Sequence, residues 1–285
     1  MAFLFRLLAR LPLCVLHGLG AVAGWVAYAA SPTYRRHLRQ NLAQAGLDSP
    51  SLRRAAIAHA GRMVLELPKV WLRPQAEVAG RVVRVSGWEL VEAAWREDQG
   101  ILFLTPHLGC FEITAQYYAA RRPMAVLYRR PKQGWLGPII ERGRGANLTL
   151  AAADLSGVRR LMKMLKRGEA AGMLPDQAPG AGEGLWAPFF GRSAYTMTLA
   201  ARLTELGPAV LLAYAERLPA GAGYHLRLFP LSRPLAGDLA ARVAGLNVEL
   251  ESLIRRCPEQ YLWGYNRYKV PAGSGGRPIG AAGVR

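Results

Sequence analysis

Acidic residues are scarce in this chain: 19 Asp plus Glu stand against 37 Lys plus Arg, a formal charge of +18 over 285 residues. Lysine is also scarce, occurring only at positions 69, 132, 163, 166 and 269, so arginine carries almost the whole surplus. Such a balance favours polyanionic partners such as nucleic acid, anionic lipid headgroups or an acidic protein. Arginine in particular grips phosphate through paired N–H donors, although the bias can equally reflect genome composition. Cysteine is limited to Cys14, Cys110 and Cys257. An odd, widely spaced set excludes a disulfide framework and a Cys-x-x-Cys metal site. Five histidines, with no His-Glu-x-x-His, argue against zinc. The basic residues form no long run interleaved with aromatics, so a nucleic-acid surface is not expected.

What is present begins at the N-terminus. From Leu11 to Ser31 there is no Asp, Glu, Lys or Arg and one histidine, His17, and the apolar character extends back to Phe3. About 20 such residues can cross a bilayer as a helix. A cleaved signal peptide is the rival, because Arg6 and Arg10 precede the run and Ala27-Tyr28-Ala29 resembles a cleavage site. The length of the run, and Arg35, Arg36 and Arg39 just after it, favour a retained anchor with a cytoplasmic body. A monotopic helix stays open. The division expected is an anchor over 1–31, a catalytic domain over 32–270 and a mobile tail over 271–285.

The body alternates strand and helix signals. Helices are predicted across 33–75, with Gly46 stopping the first and Asp48-Ser49-Pro50-Ser51 starting the next. Short apolar runs at 100–105, 124–128, 170–174 and 209–215 read as buried strands, and 81–85 and 224–229 alternate. Helices are predicted at 89–96, 111–120 and 155–167. The pattern implies an α/β domain, a mixed or parallel sheet flanked by helices.

Thr105-Pro106-His107-Leu108-Gly109-Cys110-Phe111-Glu112 places a histidine at the end of a buried strand, five residues before a carboxylate. Along a regular helix five residues turn about 500°, so the two meet only if His107 lies in the turn and Glu112 in the first helical turns. A neutral imidazole can take the proton of a hydroxyl as that hydroxyl attacks an electrophile, worth roughly 10²–10⁴-fold. A carboxylate on the other ring nitrogen fixes the tautomer and steadies the developing imidazolium. His-x4-acid arises readily by chance, and the pair gains weight from its place after a strand and a proline. Cys110, inside the motif, has no separate base and reads as an inert buried thiol. His37, His59 and His225 have no partner at useful spacing.

Thr105-Pro106-His107-x4-Glu112, the arginine-rich block after it, Pro175-Asp176-Gln177, Pro188-Phe189-Phe190-Gly191 and Pro258-Glu259-Gln260-Tyr261-Leu262-Trp263 occur in that order. Together they resemble the late lipid A acyltransferases, the lauroyl/myristoyl family of Gram-negative inner membranes. The resemblance runs from the N-terminal segment to about Lys269. It implies a glycerolipid-acyltransferase-like fold, and acyl transfer from acyl carrier protein to a lipid A precursor or similar glycolipid. It also implies His107 and Glu112 as the catalytic dyad, inner-membrane lipids as surroundings, and neither metal nor cofactor. Gly264-Tyr265-Asn266-Arg267-Tyr268-Lys269 departs from the family's usual run, which puts the acceptor and chain length in question, not the reaction class.

Among supporting residues, Arg129, Arg130, Arg142 and Arg144 are candidates to hold acceptor phosphate or acyl carrier protein. The resemblance favours Arg142 and Arg144. Asp176, just past a buried strand, is expected to orient an arginine or the substrate. Trp186, Phe189, Phe190 and Met197 are candidates for an acyl channel. Two other readings remain: the same fold acting on another lysophospholipid or glycolipid, and a non-catalytic basic membrane protein.

Overall fold

The computed structural model describes residues 2–131, 134–142 and 147–275. The chain opens with a short helix, α1 (Ala2–Arg10), then α2 (Leu13–Ala30). Pro12 separates them, since it holds its φ fixed and has no N–H to continue a helix. Helix α2 is the one segment among the described residues long and apolar enough to cross a membrane. Next come α3 (Pro32–Gln44) and α4 (Pro50–Leu72), each with proline in its first turn. Their N-caps are Ser31 and Ser49, whose hydroxyls accept from the backbone of Tyr34 and Leu52. Gly46, at φ +70°, ends the turn after α3, at the predicted stop.

The α/β body follows with α5 (Gln75–Ala79), β1 (Val82–Ser86), α6 (Trp88–Arg96), β2 (Ile101–Leu104), α7 (Phe111–Ala119) and β3 (Met124–Tyr128). It continues through α8 (Gly137–Arg142), β4 (Leu148–Ala152), α9 (Leu155–Leu165) and β5 (Ala170–Met173). An antiparallel hairpin, β6 (Gly184–Phe189) and β7 (Arg192–Met197), leads to α10 (Leu199–Leu203). The fold ends with β8 (Ala209–Arg217), β9 (Tyr224–Pro230) and α11 (Leu239–Arg255).

Seven strands form one sheet in the order β1-β9-β8-β2-β5-β3-β4. Every pair is parallel except β8 with β9, so the sheet is mixed, as the sequence predicts. The central strands are buried on both faces, and side chains alternate between two cores. Leu102 and Leu104 of β2 pack with α3, α9 and α11, through Leu38, Leu161 and Leu250. Ile101 and Phe103 face the opposite core with Val91 of α6 and Ile113 and Tyr118 of α7. The predicted strands and helices of the body are all found, whereas β4, the β6–β7 hairpin and α11 lie in stretches where the sequence reading places no element.

Candidate active site

Strands β2 and β5 are parallel neighbours, in register from Ile101 with Ala170 to Leu104 with Met173. Both chains leave the sheet at the same edge, where α/β folds gather ligands. The backbone N–H of Thr105 extends the ladder to Met173 O at 3.1 Å. His107 lies three residues past the end of β2, and Asp176 three past the end of β5.

The loop carrying His107 is pinned on two sides. Leu262 N donates to His107 O at 3.0 Å, Gly109 N to Gln260 O at 3.1 Å, and Cys110 N to Ala215 O at 2.8 Å. Gly109 has φ +60°, and a Cβ there would sit 2.0 Å from Ala215 O. Only glycine allows the loop to lie this close to β8. The Pro258–Trp263 block therefore holds the His107 loop through its main chain.

His107 and Asp176 form a two-point contact. The Asp176 Oδ2 accepts from the His107 backbone N–H at 3.0 Å, and Oδ1 sits 2.8 Å from the ring Nδ1. A carboxylate only accepts, so Nδ1 carries the proton and Nε2 keeps its lone pair. The Gln177 amide N, 3.2 Å from Nε2, is a donor and agrees with that tautomer. Asp176 is buried. Burial by itself would raise its carboxyl, but the electrostatic pull of His107 and its hydrogen bonds outweigh that and hold it below its usual value. The same carboxylate, after burial, helps push the Tyr261 phenol well up. His107 packs its ring on Phe111 with centroids 4.8 Å apart.

The carboxylate on the second ring nitrogen is thus Asp176, where the sequence reading puts Glu112. Glu112 lies in the first turn of α7, the position that reading requires, where the helix dipole favours a negative charge. Spacing along the chain could reveal Glu112, but not a partner 69 residues away that only parallel pairing of β2 and β5 brings in.

His107 lines a cleft of about 680 Å³. Its walls are largely apolar, with Leu127, Val158, Leu174, Met197 and Leu199 among them, while Arg129 and Arg202 supply charge. Arg129 is exposed and 3.9 Å from Glu183, which also lines the cleft. Arg130 is exposed and donates to Glu141 at 3.2 Å, away from the cleft lining. Arg142 closes α8 with its side chain outside the described residues, and Arg144 lies outside them altogether. Of the channel candidates, Met197 lines the cleft, whereas Phe189 and Phe190 are buried in the core. Trp186 packs its ring on Tyr195 at 5.3 Å.

On the other side of the His107 loop lies a cluster that the sequence reading misses. Glu66 of α4 and Arg217 at the end of β8 are both buried and joined bidentately, with Nε to Oε2 at 2.8 Å. Tyr224 OH donates to Glu66 at 2.9 Å, and His17 Nε2 lies 3.1 Å from it. The Gln260 side chain clamps the Arg217 backbone, accepting from N at 2.9 Å and donating to O at 3.0 Å. Burial opposes the Glu66 charge, but Arg217 and His17 prevail and hold its carboxyl at about 2. His59, 3.1 Å from Arg217, is driven down to about 3 by burial and then by Arg217 and Arg62. Cys110 is buried beside this cluster, and burial followed by Glu66 pushes its thiol well above the ordinary range. That agrees with an inert thiol. Among the described residues, no group of three or more His, Cys, Asp and Glu is arranged to hold a metal.

A family profile for bacterial lipid A biosynthesis acyltransferases matches residues 1–270. The lipid A biosynthesis lauroyltransferase of Escherichia coli K12 is 30% identical over 217 residues, covering 74% of this chain and 69% of that protein. The palmitoleoyltransferase of the same organism is 27% identical over 224 residues, covering 77% and 70%. A lipid A biosynthesis acyltransferase of Haemophilus influenzae is 27% identical over 182 residues, covering 62% and 56%.

Proposed function

The chain belongs to the bacterial lipid A biosynthesis acyltransferase family and is an acyltransferase, and on that premise we propose its donor, its acceptor and its catalytic groups. The donor is an acyl carrier protein thioester, and the acceptor is a hydroxyl of a lipid A precursor. The observation that carries the mechanism is the oriented imidazole: Asp176 on Nδ1 directs the Nε2 lone pair to an apolar cleft, where the acceptor hydroxyl would take the place of the Gln177 amide.

His107 Nε2 takes the hydroxyl proton as the acceptor oxygen attacks the thioester carbonyl. The C–O bond forms, and the tetrahedral intermediate collapses with loss of the C–S bond. The departing thiolate takes the proton back from the imidazolium, so the products are an ester and a thiol and the enzyme is unchanged. Asp176 steadies the transient imidazolium. Glu112 serves as a second carboxylate at the mouth of α7, and its removal also lowers turnover. Direct transfer suits the site, since Cys110 is buried with its thiol pushed well up, and among the described residues no serine is hydrogen-bonded to His107. The apolar cleft walls suit an acyl chain, and a volume of about 680 Å³ is in the range of small-molecule sites.

Arg129 and Arg130, exposed at this edge, together with Arg142 and Arg144, meet acidic acyl carrier protein or acceptor phosphate. The protein works at the inner membrane with residues 32–270 on the cytoplasmic face and residues 1–31 as anchor. The tail, 271–285, takes no part, and its last ten residues lie outside those described.

The test is acyl transfer in detergent with a panel of acyl carrier protein thioesters and a tetra-acyl lipid A precursor. A new acylated product, lost in His107→Ala, supports the reading and names the donor length. A folded protein that forms no product with any donor overturns the acceptor assignment and directs the search to other lysolipids. A product that survives His107→Ala overturns the mechanism.

A further inference from the structure

Helix α2 has two opposite stripes. Leu13, Leu16, His17, Gly20 and Gly24 face the body and are buried. Val15, Leu19, Val22 and Val26 recur at helical spacing on the other side and are exposed, Val22 and Val26 by about 60%, with Trp25 beside them. Helix α1 adds exposed Phe3, Leu4 and Leu7.

The inner stripe is bolted to α4 along most of its length. A Cβ on Gly61 would meet Gly20 O at 1.9 Å, and one on Gly24 would meet Ile57 O at 2.2 Å, so the two backbones touch. His17 contacts Glu66 at the start of the seam, and Arg62 Nε donates to His17 O at 3.4 Å. The register His17–Glu66, Gly20–Arg62 and Gly24–Ile57 makes the helices antiparallel neighbours. Helix α2 could cross a bilayer only by taking this stretch of α4, with His59, Arg62 and Glu66, into the hydrocarbon, or by being stripped from it. The first immerses charged groups. The second opens the contacts that satisfy Glu66.

Charge selects the partner. The first acidic residue in the sequence is Asp48, while Arg6, Arg10, Arg35, Arg36 and Arg39 precede it. Arg6, Arg10, Arg36 and Arg39 are exposed at the ends of the apolar stripe, and Arg35 folds onto Tyr28 O and Ala29 O. With its other face committed to α4, an apolar stripe ended by exposed arginines suits a helix lying along an anionic membrane surface, where the arginines meet lipid phosphates.

The geometry points to in-plane anchoring: α1 and α2 lie along one leaflet of an anionic bilayer, through Phe3, Leu7, Leu19, Val22 and Val26, and the N-terminal helices stay on the same side as the α/β body. This sharpens the membrane assignment of the preceding section and is independent of the acyl-transfer chemistry.

Single-cysteine reporters in full-length protein lacking Cys14, Cys110 and Cys257 separate the topologies. Ala2→Cys marks the N-terminus, and Arg160→Cys marks an exposed position on α9. With a membrane-impermeant maleimide, both label in inverted inner-membrane vesicles and neither in intact spheroplasts. Labelling of Ala2→Cys from outside and Arg160→Cys from inside would overturn the proposal, and so would recovery of the protein from the soluble fraction. A second measurement uses purified protein and phosphatidylethanolamine/phosphatidylglycerol liposomes. Val22→Glu with Val26→Glu lowers binding at least tenfold, and replacing phosphatidylglycerol with phosphatidylcholine lowers wild-type binding. Unchanged binding in either arm counts against it. Acyl transfer on detergent-dispersed substrate is retained by Val22→Glu/Val26→Glu. A correctly bound protein without activity would sink the acyl-transfer reading alone.

Discussion

Two buried carboxylates flank one loop. At its start Asp176 holds His107, and at its end Glu66 and Arg217 lie beside Cys110. Both carboxylates are held below their usual pKa by a cationic or imidazole partner against the opposing effect of burial. They differ in what is left over. Around Glu66 the donors of Arg217, Tyr224 and His17 converge on its two oxygens, and Arg217 spends others on Gln260 and His59. At Asp176 the histidine it orients turns its second ring nitrogen to a cleft, where the Gln177 amide meets it. A closed cluster adds rigidity to the loop, and a half-open one can exchange a proton with a substrate. On the proposed mechanism the same interaction serves structure on one side of Gly109 and chemistry on the other.

The largest effects should come from the open side. His107→Ala removes the base and should lower kcat by on the order of 10²–10⁴, with the circular dichroism spectrum unchanged. Asp176→Asn keeps the volume but offers an amide donor to Nδ1, which favours the wrong tautomer, so a loss of similar order is expected. If Asp176→Asn kept the wild-type rate while Glu112→Gln lost it, the open pair would have to be redrawn with Glu112 as the orienting group. On the closed side the effect should be on stability. Glu66→Gln leaves Arg217 buried without its counter-charge, which typically costs about 3–5 kcal/mol. Denaturant unfolding in detergent measures it, and kcat per folded molecule should stay within about twofold. A variant that folded normally but failed in turnover would break the distinction between the two sides.

The strands and helices that build both sides were legible because apolar runs such as Ile101–Leu104 and Ala170–Met173 are short, continuous and bounded by turn signals. Helix α9 is equally plain in the spacing of Leu155, Val158, Leu161, Met162 and Leu165. Strand β4, Leu-Thr-Leu-Ala-Ala, ends in two alanines and has Thr149 as its single β-branched residue, so it carries little strand signal of its own. In β6, Pro188 argues against a strand and is tolerated because the hairpin has only two strands and so only edges. His107 could be found locally, from a strand, a proline and a glycine in seven residues. Its Asp176 partner could not, since the contact depends on which strands are neighbours. Glu66 and Arg217, 151 residues apart, leave no mark in the sequence at all.

The closed side also predicts a pH dependence. His59 is held down at about 3, against about 6.5 in an unfolded chain, so between those values the unfolded state binds the extra proton. Stability contributed by neutral His59 is therefore complete above about pH 6.5 and declines as pH falls towards 3. Glu66 and Asp176, both depressed, contribute stability that is complete above the unfolded carboxylate range and lost only below it. The decline should thus begin near pH 6.5, reach about 2 kcal/mol by pH 5, and then steepen below about pH 4.5. In His59→Gln the first segment should vanish and the second remain, as read from unfolding midpoints across pH. A first segment that persists would assign it to another group.

The smallest effect should be at Cys110, which sits where the two sides meet. It follows the glycine that turns the loop, and its backbone N–H, not its thiol, makes the contact with Ala215. The thiol is buried and raised well above the usual range by burial and the neighbouring Glu66, so little thiolate forms near neutral pH. Cys110→Ala should keep kcat and KM within about twofold and cost about 1 kcal/mol of stability, the scale for a small group lost from a packed site. In the folded protein iodoacetamide should modify exposed Cys14 and leave Cys110 and Cys257 unmodified, as read by mass spectrometry. Loss of turnover in Cys110→Ala with stability intact would place a nucleophile on the closed side, and the chemistry would then have to run through an acyl-enzyme instead of direct transfer.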